Sequence, residues 1–195
     1  MKVLLEESKT ELIIKNSRFI SEVFPVETQA QAREKLHEVK QKYFDATHVV
    51  HAFSVGLKSE TFGMSDDGEP SGTAGRPVLD VLKGSGITNI LLTVTRYFGG
   101  TLLGTGGLVH AYSESAKQVL SVCKAEPYVE KSSFSFSCGY DLYQTVKHLF
   151  EDFNISNLTE NFGTDISIQG EIFLSEKNTF LEQIKNISKG TIKCI

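Results

Sequence analysis

The sequence predicts an α+β protein of two domains, residues 1–126 and 127–195. Segments that alternate like strands and segments with the apolar spacing of helices follow one another along the chain. At Ala125-Glu126-Pro127 this pattern stops in a stretch that is typical of a linker, and it then begins again. The second part has the order strand, helix, strand, strand, helix, strand, which is the ferredoxin-like βαββαβ order.

Composition predicts a cytoplasmic protein without a membrane span. Of the 195 residues 40% are hydrophobic, which suffices for packed cores, and no run approaches the roughly 20 apolar residues of a spanning helix. The N-terminus lacks the apolar stretch of a signal peptide. Cys123, Cys138 and Cys194 form no zinc or CxxC motif, so free thiols are expected. The net charge of −4 argues against a generally basic nucleic-acid binder, and no DNA partner is expected.

In the first domain, strands and helices alternate. Thr28 and Gln31 form a capping box that opens a helix. Pro77 suits the first turn of a second helix, which Gly84 and Gly86 end. The most apolar strand, 87–97, is expected at the centre of a sheet. The predicted segments are strands 12–15, 18–26, 48–55 and 87–97, and helices from residue 28, from residue 77 and from 108 to 123.

The second domain contains no comparable polar cluster, so we interpret it as a partner-binding or structural domain. Asp141 with Gln144, and Ser175, are expected to cap its two helices. The predicted strands are 129–138, 155–159 and 165–174, the last two joined across residues 161–163, and a closing strand 191–195.

A polar loop, residues 65–77, has the sequence S-D-D-G-E-P-S-G-T-A-G-R-P. Asp66, Asp67 and Glu69 are hard oxygen ligands of the kind that divalent cations prefer. Alternatively, Asp side chains cap nearby N–H groups and shape the turn. Because the acids are far more closely spaced than the ligands of a helix-loop-helix calcium site, no metal is expected.

The end of this loop leads into a helix N-terminus, where backbone N–H groups favour anions. An anion-binding cradle there would use Ser71, Gly72, Thr73, Gly75 and Arg76. The spacing is not that of a phosphate-binding P-loop. The alternative is that the glycines only permit a tight turn into the helix.

A second glycine-rich stretch, R-Y-F-G-G-T-L-L-G-T-G-G-L, begins at Arg96. It follows a strand and precedes a helix, but its glycines do not match GxGxxG, so no nucleotide cofactor is expected. Close backbone packing is the alternative role. The candidate ligand-binding residues in this stretch are Arg96, Tyr97, Gly99, Gly100, Gly104, Thr105, Gly106 and Gly107.

His48 and His51 lie three residues apart in a predicted strand and therefore face opposite sides of the sheet. They cannot form one site through that strand alone. His48 is a candidate site residue because imidazole titrates near neutral pH.

Together, the two glycine-rich stretches resemble the IMPACT family, in its bacterial YigZ-type branch. The segment from Asp45 to His48 and the segment from Lys15 to Ile20 are also similar to the family. The resemblance implies an N-terminal domain like the second domain of a small-subunit ribosomal protein, and a ferredoxin-like C-terminal domain. Eukaryotic members regulate the amino-acid-starvation response, with a different partner-binding domain that this chain lacks.

Two hypotheses for function follow. The first is a non-enzymatic binding protein linked to translation or the starvation response. It would contact RNA, the ribosome or a ribosome-associated protein through the two loops, with Arg76 and Arg96 as anion contacts and Tyr97 and Phe98 as stacking groups. Ser65 and the other polar residues of the first loop would share in this ligand site. No cofactor is expected.

The second hypothesis is a metal-dependent enzyme acting on a phosphorylated or carboxylated small molecule. Its catalytic groups would be Asp66, Asp67, Glu69 and His48. Convergence of these carboxylates with His48 around a closed pocket would favour the enzyme, whereas carboxylates that cap their own loop would favour the binding protein.

Overall fold

The chain divides into two units, Met1–Tyr128 and Val129–Ile195, in a computed structural model that describes residues 1–56 and 61–192. Ala125 to Pro127, expected to be a linker, instead forms a strand that pairs antiparallel with Lys2–Leu4. The N–H of Tyr128 then donates to the carbonyl of Met1 (3.1 Å). The prediction of a linker was wrong because strand pairing with a distant segment leaves no local signal.

The first unit contains a five-stranded sheet in the order β2-β3-β7-β4-β5, with every neighbouring pair antiparallel. The prediction that the most apolar strand is central is confirmed, since β7 lies between β3 and β4. The strands of this sheet are β2 (Ser8–Ile14), β3 (Ser17–Pro25), β4 (His48–Val55), β5 (Thr61–Ser65) and β7 (Ile90–Tyr97). The short strands β1 (Lys2–Leu4), β6 (Ile87–Thr88) and β8 (Ala125–Pro127) form a separate sheet of the first unit.

Three details of this sheet differ from the prediction. Strand β2 begins at Ser8, four residues before the predicted start at Leu12. The expected strand 87–97 is broken at Asn89, whose φ is +54°, and its first part pairs with β1 rather than with the large sheet. Strand β5 was not predicted, because Gly63 interrupts its alternation. Gly63 lies opposite Phe53, whose ring occupies the place that a side chain at position 63 would need.

Helices cover both faces of the sheet. Helix α1 (Gln29–Lys42) packs on one face through an apolar cluster that includes Ala32 and Val39. Helices α2 (Gly75–Ser85) and α3 (Gly104–Val122) share the cluster on the other face. A strand side chain therefore packs either against α1 or against α2 and α3, depending on the face of the sheet to which it points.

The helix termini partly agree with the predictions. The capping box of Thr28 and Gln31 is confirmed. Helix α2 ends at Gly86, which adopts a left-handed conformation, whereas Gly84 lies inside the helix. Helix α3 begins at Gly104, earlier than the predicted Leu108. Glycine disfavours a helix interior, but burial of the apolar side of α3 overrides that preference.

The second unit contains a three-stranded antiparallel sheet in the order β10-β11-β9, as expected for the first three strands of a βαββαβ domain. The closing strand falls largely on residues 193–195, outside the described residues, and Thr191 and Ile192 are not in a strand. The elements are β9 (Lys131–Cys138), α4 (Tyr140–Phe150), β10 (Ile155–Phe162), β11 (Ile166–Phe173) and α5 (Lys177–Ile187).

The helix N-termini and the hairpin turn of this unit differ from the predictions. Helix α4 begins after Gly139 and α5 after Glu176, and neither has a side-chain cap. Asp141 therefore lies within the first turn of α4 rather than capping it. Strand β10 continues to Phe162, so the hairpin turn comes later than residues 161–163.

Two of the three cysteines fall in the described residues. Cys123 and Cys138 are free thiols, and burial raises the pKa of both; Cys194 lies outside the described residues. Within residues 1–56 and 61–192, no helix has the length and apolarity to cross a membrane.

Candidate functional site

Asp66 caps the N-terminus of α2. Its Oδ1 accepts hydrogen bonds from the N–H groups of Gly75 (2.7 Å) and Ala74 (3.1 Å), and its Oδ2 accepts one from Gly72 (2.8 Å). Burial acts to raise the pKa of this carboxyl, but the three hydrogen bonds outweigh it and hold the pKa below its usual range. The anion at this helix N-terminus is thus a carboxylate of the chain itself.

The other residues of the expected anion cradle are engaged elsewhere. The N–H and hydroxyl of Thr73 both donate to the carbonyl of Pro70 (3.0 and 2.6 Å). Arg76 is exposed and pairs with Asp80 one turn along α2 (2.8 Å). Ser71 is exposed as well. This helix end therefore closes on itself and does not line a cleft with the second glycine stretch.

Asp67 ties the loop to the sheet and to α1. Its Oδ2 accepts from the backbone N–H of Val49 (2.7 Å), and its Oδ1 pairs with Lys40. The hydroxyl of Ser65 accepts from the N–H of Asp67 (3.1 Å). These contacts satisfy the Asp67 carboxylate inside the protein.

Glu69 is the deepest of the three acids, with 7% of its surface exposed. Its Oε1 accepts from Arg96 Nη1 (2.6 Å) and from the hydroxyl of Tyr112 (2.8 Å). Burial and the neighbouring Glu69 raise the pKa of the Tyr112 phenol, which stays a neutral donor. Glu69 is therefore the counter-ion of a buried arginine.

The three carboxylates of the loop thus have three different sets of partners. They do not converge as the metal-dependent hypothesis requires. In the part of the chain that the structure describes, no group of three or more His, Cys, Asp or Glu side chains is arranged to hold a metal ion.

Arg96 is 5% exposed and lies between two aromatic rings. Its guanidinium carbon is 5.6 Å from the ring centres of both Phe19 and Phe98. Its Nη1 binds Glu69, but its Nε has no hydrogen-bond partner among the described residues. Such an unsatisfied buried donor is rare and calls for an explanation.

His48 lies beside this pair, opposite Arg96 in the sheet register. Its Nδ1 is 2.7 Å from the carbonyl oxygen of Asp67. Because a carbonyl can only accept, Nδ1 carries the proton of that bond. Its Nε2 then faces the carboxylate of Glu69 at 3.9 Å. His51 faces the other side of the sheet, as predicted, and burial lowers its pKa to about 4.

Parts of both glycine-rich stretches line one cleft of about 460 Å³. His48, Glu69 and Arg96 form its polar floor, and its walls are mainly apolar. The lining residues are Thr47, His48, Gly68, Glu69, Pro70, Arg96, Phe98, Leu102, Leu103, Gly104, Thr105 and Leu108. His48 and Arg96 come from the ends of β4 and β7, Glu69 comes from the first loop, and the walls come from the two loops and α3.

Glycines of the second stretch have separate roles. The backbone of Gly99 packs directly on the backbone of Asn16, where a side chain has no room. Gly100 and Gly104 have positive φ, +82° and +74°. Gly106 lies in the first turn of α3 and Gly107 packs there against Leu103. This stretch is thus partly close packing and partly a helix N-terminus.

Successive residues of a strand point to opposite faces of the sheet, so Tyr97 faces the α1 side and Arg96 faces the other. The hydroxyl of Tyr97 donates to Asp45 (2.9 Å), and Arg18 lies over its ring. The candidate residues outside the cleft lining are Ser65, Asp66, Asp67, Ser71, Gly72, Thr73, Gly75, Arg76, Tyr97, Gly99, Gly100, Gly106 and Gly107.

Comparison with known proteins identifies the family. Residues 15–120 match the model of the Impact N-terminal domain, and residues 136–191 match a domain of unknown function, DUF1949. The chain belongs to the IMPACT family. Every residue that lines the cleft lies within the matched Impact domain.

Similar IMPACT proteins cover nearly the whole chain. An IMPACT family member of Haemophilus influenzae is 37% identical over 92% of this chain and 88% of its own length. The member YigZ of Escherichia coli is 30% identical over 93% and 90%. A crystal structure of a hypothetical protein is 28% identical, covers 100% of this chain and 95% of its own, and has a TM-score of 0.71.

Sequence reasoning missed several residues of this IMPACT-domain cleft. Tyr112 does not line the cleft but donates to Glu69 in its floor, and it was not among the predicted site residues, although a buried tyrosine hydroxyl usually has a partner and so signals a polar group nearby. Leu102 follows a glycine pair in a loop and is 83% exposed. A leucine in a glycine-rich loop is the feature of the sequence that could have indicated the apolar wall of the cleft.

Proposed function

We propose that this IMPACT-family chain is a non-enzymatic binding protein with a regulatory role linked to translation, and that its cleft receives an apolar segment of a ribosome-associated protein. The observation that carries this proposal is the pairing of charges around the cleft. Among the described residues, three cations near the two loops are already paired with carboxylates of the chain.

The three pairs are Arg96 with Glu69, Arg76 with Asp80 and Lys40 with Asp67. Proteins that bind RNA through its backbone use Lys and Arg to neutralise phosphates. Paired cations contribute little to such binding, because the phosphate must compete with an internal carboxylate. A protein partner is therefore favoured over RNA.

The walls of the cleft support the same conclusion. Leu102 is 83% exposed and Phe98 is 47% exposed. Exposed apolar residues that form one patch beside polar residues are typical of protein interaction sites. Phe98 also lies over the buried Arg96 guanidinium, so the wall and the floor are in contact.

Family membership supports the link to translation. The resemblance implies that eukaryotic members regulate the starvation response, and the Impact domain is the part that this chain shares with them. The contact proposed for this chain uses that domain alone.

A second candidate function, acid–base catalysis, is favoured by the placement of His48. Its Nε2 lies 3.9 Å from Glu69 in the floor of the cleft. Glu69 is committed to Arg96 and Tyr112, however, and the remaining acids of the loop face elsewhere. Binding therefore explains more of the site than catalysis does.

Co-sedimentation with ribosomal particles from cell extract tests the proposal. We expect the parent chain to sediment with the particles and Leu102→Asp to lose most of this association. The matched control is Val122→Asp, since Val122 is 55% exposed at the far end of α3, about 27 Å from the first turn. Equal sedimentation of both variants, or none by the parent, would contradict the proposed function.

A further inference from the structure

We infer that the first turn of α3 binds a carboxylate of the ligand in the cleft. This inference rests on the proposed function and adds the chemistry of the contact. In the part of the chain that the structure describes, the backbone N–H groups at the N-terminus of this helix have no acceptor outside the helix.

Helix α3 is 19 residues long and has no side-chain cap at its N-cap, Leu103, and no acidic residue in its first turn. Gly104 and Thr105 of this turn line the cleft. The first N–H groups of a helix have no partner within the helix, and they carry the positive end of its dipole. An anion in the cleft would therefore be bound by these groups.

The space beside the first turn is open. A Cβ atom placed on Gly104, which lines the cleft, or on Gly106, which is in the same turn but outside the lining, would meet nothing within 4 Å. Larger residues at these positions would cover the backbone, so the glycines leave room for a ligand atom to approach the N–H groups.

A second, independent observation is the unpartnered Nε of Arg96. Arg96 is 95% buried and lines the same cleft, and among the described residues only its Nη1 has an acceptor. A buried charged donor without an acceptor is costly. The Nε atom is itself enclosed, so a carboxylate in the cleft would offset the guanidinium charge through space.

The N-terminus of α2 shows the chemistry inside the same chain. There the carboxylate of Asp66 accepts three backbone N–H bonds. Helix α3 offers a similar set of donors without an internal carboxylate. The α2 cap is thus an internal example of the complex that we infer for α3.

The anion is a carboxylate rather than a phosphate monoester because of the charge of the floor. Glu69 lines the cleft, and its charge balances that of Arg96. A dianion would be repelled by Glu69 more strongly than a monoanion. The apolar walls at Phe98 and Leu102 add contacts for a carboxylate that follows an apolar group.

Benzoate is the probe, and benzamide is its neutral control. Titration into the full-length ¹⁵N-labelled chain should shift the amide signals of Gly104, Thr105 and Gly106, whereas benzamide should not. In Gly106→Asp, an internal carboxylate in the first turn should compete and weaken benzoate binding about tenfold or more, by analogy with charged groups at helix ends. Gly106→Asn has the same shape without the charge and should retain binding.

Two peptides distinguish the source of the carboxylate. An apolar tetrapeptide with a free C-terminus that binds tighter than benzoate points to a chain terminus, and one that binds no tighter points to a small acid; both support the inference. Benzoate that causes no shift, benzamide that binds equally well, or Gly106→Asp that binds like Gly106→Asn overturns it. If benzoate fails while Leu102→Asp still abolishes ribosome association, the inference fails and the proposed function stands. If benzoate binds as expected while Leu102→Asp leaves ribosome association unchanged, the inferred anion site stands and the proposed function fails.

Discussion

Glu69→Gln is the substitution that tests the cleft floor most sharply. It removes the only carboxylate that contacts the Arg96 guanidinium among the described residues, and it changes the volume of the side chain very little. The hydroxyl of Tyr112 can still donate to the amide oxygen of the glutamine. The main effect is therefore an arginine charge that stays buried without a counter-ion.

The size of the effect follows from the burial of the pair. Side-chain exposure is 7% for Arg96 and 3% for Glu69, and removing one partner of such a buried pair costs about 3–5 kcal/mol. Glutamine retains one acceptor, so we expect about 3 kcal/mol. A domain is stable by about 5–15 kcal/mol, so the variant should fold at 25 °C and melt roughly 10 °C lower.

Urea unfolding, followed by the amide signals of the first unit, measures this loss without interference from the second unit. The control is Glu69→Gln combined with Arg96→Met, which removes the unpaired charge. We expect the double variant to be more stable than Glu69→Gln alone. A loss below about 1 kcal/mol in the single variant, or a double variant that is less stable still, would refute the reasoning that the pair is a buried ion pair.

Three further predictions concern the loop and the end of the first unit. Because the Asp66 pKa is lowered in the folded chain, its ionised form stabilises the fold above the ordinary aspartate pKa of about 3.9, and this contribution disappears as the pH falls through the folded pKa. Asp66→Asn should therefore be less stable than the parent at pH 7 and should lose less stability on acidification. Melting temperatures measured against pH test this, and a pH profile equal to that of the parent would argue against the cap. Mg²⁺ should leave the Tm of the parent and of Asp66→Asn/Asp67→Asn unchanged, whereas a rise in the parent that vanishes in the double variant would support the metal-dependent enzyme. Fragment 1–128 should melt higher than fragment 1–126, because Pro127 and Tyr128 complete the pairing of β8 with β1. Equal melting would mean that these last two residues contribute nothing to stability.

Local signals in the sequence predicted most of the fold. The capping box at Thr28, the proline in the first turn of α2 and the apolar run of β7 all act within a few residues, so they are visible without the tertiary structure. Helix α3 was predicted too short because its first turn is glycine-rich. There, packing of the rest of the helix decides the conformation, and no local pattern reports it.

Of the candidate ligand-binding residues, Glu69, Arg96, Gly104 and Thr105 line the cleft. Both glycine-rich stretches contribute to the cleft, but the role of each acid depends on partners that are distant in sequence. Tyr112 reaches Glu69 across 43 positions, and Asp67 reaches Lys40 across 27. Composition and spacing identify the carboxylates, whereas only the folded chain shows that they are satisfied internally.

The central claim is that the cleft contacts a protein, and photo-crosslinking at position 102 tests it most directly. A photoreactive residue replacing Leu102 in the full chain, irradiated in cells, should give adducts that protease removes and ribonuclease does not. The same residue at position 122 should not give these adducts. Adducts at position 102 that contain only RNA, or an identical adduct pattern from both positions, would contradict the account.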